Sequence, residues 1–111
     1  MKIGFIGTGH ISKSVIKGII GSKLRINKII ISKRNNKISS ALKRKSKKII
    51  ISENNQEIIN KSDWIFLAVT PEVGHKILPN LTFKKGQTIV SFISTIKMTD
   101  LKKYIKIKTK I

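Results

Sequence analysis

A glycine-rich segment near the start of the chain has the spacing of a phosphate-binding loop. It follows the pattern G-x-G-x-x-S in the sequence Gly7-Thr8-Gly9-His10-Ile11-Ser12. The first glycine permits a tight turn, the second lets a pyrophosphate approach the backbone, and a small third residue allows a helix to pack closely on a strand. The N–H groups and dipole at the start of that helix attract phosphates. The pattern predicts a dinucleotide site, and the alternative is a glycine-rich turn that binds nothing.

The end of the second predicted strand indicates which dinucleotide would bind. An NAD-binding domain places an acid there, about 20 residues after the glycines, to bind the ribose 2′-hydroxyl. This chain instead has Ser32-Lys33-Arg34, without an acid. Ser32 can hydrogen-bond a 2′-phosphate and Arg34 can form an ion pair with it, so we predict NADP(H) over NAD(H). The alternative is that Lys33 and Arg34 are solvated cations in a lysine-rich chain.

A third segment follows the fourth predicted strand. It consists of Ala68, Val69, Thr70 and Pro71. In a doubly wound sheet this position lies across the switch point from the first strand, where backbone groups face the nicotinamide half of a dinucleotide. Without the glycine motif, the same residues would be interpreted as an ordinary turn from a strand to a helix.

The elements that must position these residues alternate along the chain. Short apolar runs predict strands at 2–6, 28–32, 47–51, 63–69 and 87–93. Amphipathic stretches between them predict helices, capped by Asn35 or Asn36, Ser52, Thr70 and Thr99. This order predicts an α/β fold with a doubly wound, Rossmann-like parallel sheet, strand order 3-2-1-4-5 and helices on both faces. The alternating tail from Ile105 is interpreted as the start of a sixth strand.

Composition limits the function classes. A chain of 111 residues forms one domain, and without cysteine and with two histidines we expect no metal site. The net charge of +19 would suit nucleic acid, but nearly all basic residues are lysine and the chain is rich in Ile and Asn. We therefore favour the composition of an AT-rich genome over a nucleic-acid role. No apolar run is long enough to span a membrane and no leader is evident, so we expect a cytoplasmic protein.

Four segments together resemble a known family. MKIGFIGTGHIS, IIISKRN, DWIFLAVTPE and QTIVSFISTI, in this order, are similar to the N-terminal NADP-binding domain of pyrroline-5-carboxylate reductase. The resemblance covers essentially all of residues 1–111. It implies an NADP(H)-dependent oxidoreductase of proline biosynthesis that transfers hydride to a cyclic imine. In the family, a C-terminal helical domain supplies the dimer interface and much of the substrate pocket, and that domain is absent from this chain.

The resemblance also implies roles for individual residues. It implies that the pyrophosphate is bound by Gly7, Thr8, Gly9, His10 and Ile11. The 2′-phosphate would be contacted by Ser32 and Arg34. The nicotinamide and its ribose would lie near Ala68, Val69, Thr70 and Pro71. Residues 91–96 would flank the reacting centre. No residue is a dedicated catalytic acid, so the proton would come from the second domain or from solvent.

Departures from the family pattern leave the substrate open. Ser12 replaces a glycine, Thr70 a lysine, Glu72 a glutamine, and Ser94-Thr95 replace Ala-Gly. Two other hypotheses remain: a non-catalytic NADP-binding module or truncated relative, and a basic nucleic-acid-associated protein. We interpret His10 as a helix-capping residue rather than a proton donor, and we assign His75 no role.

Overall fold

The computed structural model describes residues 1–7, 9–33, 36–93 and 98–105. Five strands alternate with five helices and one short 3-10 helix, Leu78–Asn80. The strands are β1 (Lys2–Ile6), β2 (Lys28–Ser32), β3 (Ile49–Ser52), β4 (Trp64–Leu67) and β5 (Thr88–Ser91). The helices are α1 (His10–Ile20), α2 (Asn36–Lys43), α3 (Asn55–Asn60), α4 (Pro71–Ile77) and α5 (Met98–Tyr104). Within the described ranges, no helix has the length and apolar character needed to cross a membrane.

The strands form a single parallel sheet in the order β3-β2-β1-β4-β5, which confirms the predicted topology. Its central strand, β1, pairs with β2 on one side and β4 on the other. The register places Ser32 beside Ser52 and Ile6 beside Leu67. The carboxyl ends of the first four strands therefore lie at one edge of the sheet, where ligands bind in this class of fold.

Two apolar clusters cover the two faces of the sheet. Ile3 and Phe5 of β1 belong to one cluster, and Ile6 belongs to the other. Neighbouring positions of β2 also divide between the clusters, because successive side chains of a strand point to opposite faces. Burial on both faces explains why these strands are apolar throughout instead of alternating.

Two predicted helix caps are wrong. Asn54, not Ser52, caps α3, because its side chain accepts hydrogen bonds from the backbone N–H groups of Gln56 and Glu57. Ser52 is the last residue of β3, and its hydroxyl bonds the backbone of Asn54, which fixes the turn instead. Thr99 lies inside α5, which begins one residue earlier.

The other predicted boundaries are close to those observed. Thr70 and Pro71 open α4 as predicted. The last three strands are each shorter than predicted: β3 begins two residues later and ends one residue later, whereas β4 and β5 each begin one residue later and end two residues earlier. Asn36 is the first residue of α2 rather than its cap. Asn35 and the tail after Ile105 lie outside the described residues.

The loop before β5 is fixed by one buried glutamine. The Gln87 amide nitrogen donates to the backbone oxygens of Ile59, at 2.7 Å, and Ser62, at 2.8 Å. Its side-chain oxygen accepts from the Lys84 N–H at 2.7 Å. Gln87 thus satisfies three backbone groups around the end of α3 and the loop before β5, where a buried polar group without a partner is costly.

We expect Gln87→Met to lower the free energy of unfolding by about 2–4 kcal/mol, since it removes three hydrogen bonds of a buried side chain; the Ile59 carbonyl keeps its bond from the Ser62 N–H at 3.3 Å. Gln56→Met is the matched control. The Gln56 side chain also makes three hydrogen bonds, to Asn60 and to both backbone groups of Thr82, but these are exposed to water. We therefore expect Gln56→Met to lower the free energy of unfolding by less than about 1 kcal/mol, as measured by urea denaturation. Equal losses for the two variants would contradict the argument.

Candidate cofactor-binding site

The turn after β1 is held on two sides. Gly7 has a φ of +98°, a conformation that favours glycine. A Cβ atom on Gly7 would lie 2.5 Å from the carbonyl oxygen of Ala68, after β4. On the other side, the buried Ser12 hydroxyl donates to the Gly7 carbonyl at 2.7 Å. The first and third positions of the motif are therefore explained by packing: β4 and α1 close on the turn from opposite sides.

The second glycine has no such structural reason. Gly9 is the N-cap of α1 with extended backbone (φ −115°, ψ −164°), which any residue adopts. A Cβ atom there would meet nothing within 4 Å. Gly9, the N-cap residue, has no side chain to cap α1, and the first turn has no acid. The open space at Gly9 therefore lies directly against N–H groups that the N-cap residue does not satisfy, an arrangement suited to a bound phosphate.

A cavity of about 240 Å³ lies beside this turn, at the carboxyl edge of the sheet. Its lining comes from the ends of the first four strands and the residues that follow them: Ile6, Gly7, Ser32, Lys33, Glu53, Asn55 and Val69. Gly7, Ser32 and Val69, one from each of the three predicted segments, thus lie on one cavity. These residues are far apart in sequence, and the parallel register brings them together.

Other predicted site residues flank the cavity. Ile11 is 55% exposed in the first turn of α1. Ala68 is half-buried, and its N–H donates to the Ile6 carbonyl at 2.9 Å. The Thr70 hydroxyl accepts from the Val73 N–H at 3.4 Å, and Pro71 opens α4. Thr8, Arg34, residues 94–97 and the His10 side chain lie outside what the structure describes.

Glu53 lines the cavity and was missed by sequence reasoning. The Lys33 ammonium and the Glu53 carboxylate form an ion pair at 2.8 Å, Nζ to Oε1, on the rim of the cavity. The hydrogen bond and charge of Glu53 raise the pKa of Lys33, and Lys33 lowers the pKa of Glu53. The predicted order 3-2-1 was a partial signal, since it makes β3 the neighbour of β2, but only the register, with Ser32 beside Ser52, places Glu53 beside Lys33.

The residues present fit a dinucleotide better than a metal ion. The described part of the chain contains no group of three His, Cys, Asp or Glu side chains that could hold a metal ion. The open position at Gly9, the uncapped start of α1 and the adjoining cavity supply N–H donors and space, which suit the phosphates and ribose of a dinucleotide.

Comparison with known proteins agrees with this geometry. Residues 2–95 match the model of a family described as NADP oxidoreductase, coenzyme F420-dependent. The chain belongs to this family. The match includes β1 to β5 and every cavity-lining residue. Membership of an oxidoreductase family is thus established by a match across most of the chain.

Curated relatives confirm the resemblance to pyrroline-5-carboxylate reductase. The chain is 32% identical over 108 residues to pyrroline-5-carboxylate reductase 3 of Danio rerio, covering 95% of this chain and 37% of that protein. It is 29% identical over 110 residues to pyrroline-5-carboxylate reductase of Arabidopsis thaliana, covering 93% and 38%. The chain thus spans little more than a third of the length of these relatives.

Solved structures confirm the fold. Pyrroline-5-carboxylate reductase of Streptococcus pyogenes superposes with a TM-score of 0.76 at 25% identity, over 95% of this chain and 38% of that one. A diketoreductase superposes with a TM-score of 0.70 at 15% identity, over 98% and 48%, which is a likeness of fold alone. The family member is therefore a Rossmann-like domain, as the sequence predicted.

The two motif glycines should differ in their effect on stability. Gly7→Ala places a Cβ against the Ala68 carbonyl at positive φ, so we expect it to lower the free energy of unfolding by at least about 1–3 kcal/mol. Gly9→Ala should cost less than about 1 kcal/mol, the difference between glycine and alanine as an N-cap. Chemical denaturation of both variants measures this, and an equal or larger loss at Gly9 would contradict the described turn.

Proposed function

We propose that this chain binds NADP(H) as the cofactor domain of an oxidoreductase related to pyrroline-5-carboxylate reductase. The observation that carries the proposal is the open position at Gly9, an N-cap residue with no side chain to cap the helix, beside a cavity lined by the end of β2. Packing explains Gly7 and Ser12 but leaves Gly9 unexplained. A pyrophosphate that approaches the backbone supplies that explanation.

Each segment of the site would hold one part of the dinucleotide. Gly7, Thr8, Gly9, His10 and Ile11 would surround the pyrophosphate, with the start of α1 facing its charge. Ser32 and Arg34 would hold the 2′-phosphate of the adenosine ribose. Ala68, Val69, Thr70 and Pro71 would lie along the nicotinamide half. The support is that one residue of each segment lines the same cavity.

The reaction proposed for the whole enzyme is reduction of a cyclic imine. NADPH, when bound, supplies a hydride for the imine carbon, and the nitrogen gains a proton. This chain would bind and orient the cofactor. A second, helical domain would supply the substrate pocket and the oligomer interface, and that domain or solvent the proton. The share of the relatives that the chain covers supports this division. We place the enzyme in the cytoplasm and expect neither a membrane nor nucleic acid as its partner.

The preference for NADP(H) over NAD(H) rests on the end of β2. Ser32 is 6% exposed and lines the cavity, which supports the proposal that it contacts the adenosine ribose. No acid follows within β2 or directly after it, and Arg34 comes two residues later. A guanidinium pairs with phosphate through a charge-assisted hydrogen bond, which contributes more than a neutral one.

Occupying the space at Gly9 tests the binding site. Gly9→Ser would add a side-chain oxygen that caps the N–H groups proposed to hold the phosphates. We expect the melting temperature to be unchanged or raised and the affinities for NADPH and NADH to fall at least about tenfold. Gly18→Ser, in the same helix where an added Cβ also meets nothing within 4 Å, is the control and should bind normally. Full binding by Gly9→Ser would overturn the proposed site.

Arg34→Ala tests the preference for NADP(H). The contact to the 2′-phosphate should contribute roughly 1.5–3 kcal/mol, so NADPH affinity should fall about 10- to 150-fold. NADH affinity should change little, and raised salt should reduce the difference between the variants because it screens an exposed ion pair. Titration of both cofactors provides the measurement. Equal losses for NADPH and NADH would show that Arg34 is one more surface cation.

A further inference from the structure

The ends of β2 and β3 bring opposite charges to the cavity rim. Ser32 and Ser52 are register partners, and the next residues in the two strands are Lys33 and Glu53. The Lys33 N–H donates to the Ser52 carbonyl at 3.0 Å, so the pairing continues one residue past β2. Because the backbone pairing brings Lys33 and Glu53 side by side, the ammonium and the carboxylate lie 2.8 Å apart.

Stability does not explain this ion pair. The Lys33 and Glu53 side chains are 49% and 78% exposed, and exposed pairs contribute little to folding. The position of the pair is more informative. Glu53 is the one acid among the residues that line the cavity, and the chain has only five acids against 24 basic residues. Ser32, at the proposed ribose position, lines the same cavity.

We propose that Glu53 is a specificity-determining residue that weakens the preference for NADP(H) over NAD(H), an inference that rests on the proposed function. Its carboxylate competes with a 2′-phosphate for Lys33 and repels that phosphate. The unphosphorylated ribose of NAD(H) offers a hydroxyl that can donate to a carboxylate. Glu53 thus brings from β3 the acid that an NAD-binding domain places at the end of β2.

The charges around the site make such a residue effective. In a chain of net charge +19, lysines attract any phosphate, so they raise the affinities for NADPH and NADH together. A charge changes the ratio of the two affinities most when it lies near the 2′ position, because screening weakens distant exposed charges. Lys33 and Glu53, directly after Ser32 and its register partner, satisfy that condition.

The test compares the two exposed acid–lysine pairs that the structure describes. Glu53→Gln removes the carboxylate charge with little change in shape. Glu57→Gln does the same in the pair with Lys61, at 3.1 Å; the Lys61 and Glu57 side chains are 53% and 47% exposed and lie outside the cavity lining. Both variants raise the net charge by one. Dissociation constants are measured for NADPH and NADH, and for their adenosine portions, adenosine 2′,5′-bisphosphate and AMP.

We expect Glu53→Gln to raise the NADPH-to-NADH affinity ratio about two- to five-fold, with a similar rise for the ratio of the adenosine ligands. Raised salt should reduce the effect. Glu57→Gln should leave both ratios unchanged. Lys33→Gln should lower the NADPH-to-NADH ratio, and equal melting temperatures would show that all three variants fold.

Two failures are distinguishable. If the wild-type chain binds neither cofactor nor either adenosine ligand, the proposed function is wrong and the role of Glu53 falls with it. If the wild-type chain binds dinucleotides but Glu53→Gln leaves the ratio unchanged, or shifts it no more than Glu57→Gln, only the role of Glu53 is overturned. An unchanged ratio in Lys33→Gln would likewise overturn the competition for Lys33.

Discussion

The confinement of Gly7 between β4 and α1 is the constraint on which the site depends. The central strand β1 ends at Ile6, and the chain must turn at once into a helix that packs back on the sheet. The Ala68 carbonyl blocks one side of that turn and the Ser12 hydroxyl bonds the other. Only a residue that tolerates positive φ without a side chain satisfies both contacts, and α1 then starts with its N–H groups at the carboxyl edge of the sheet.

The two ends of the site depend on different parts of the chain. At Gly9 the available contacts are backbone N–H groups, fixed by the helix itself, so they are independent of side-chain type. At the end of β2 the contacts come from side chains, Ser32 and Lys33 opposite Glu53. A lysine-rich composition attracts phosphate over the whole surface, whereas Lys33 and Glu53 bring opposite charges to the cavity lining itself, at the proposed ribose position.

The sequence sufficed for the topology because hydrophobic pattern and punctuation agree in every element. Apolar strands, amphipathic helices and the glycine turn all indicate one fold, and the order of the strands follows from it. The helix caps were less predictable. Ser52 and Asn54 are both good cap residues two positions apart, and only the actual end of β3 decides which side chain reaches the first turn of α3.

Glu53, on the cavity lining, shows a different kind of miss. The sequence was searched for an acid only at the end of β2. In the sheet, the residues that follow β3 lie at the same place. Glu53 comes 21 positions after Ser32 in the sequence, but its strand ends beside that residue. The cavity is lined by the ends of strands, which the register of the sheet aligns. A residue's position within its segment is therefore a poorer guide to its surroundings than the register of its strand, and the predicted order 3-2-1-4-5 made β3 the neighbour of β2 without giving the register that aligns Ser32 with Ser52.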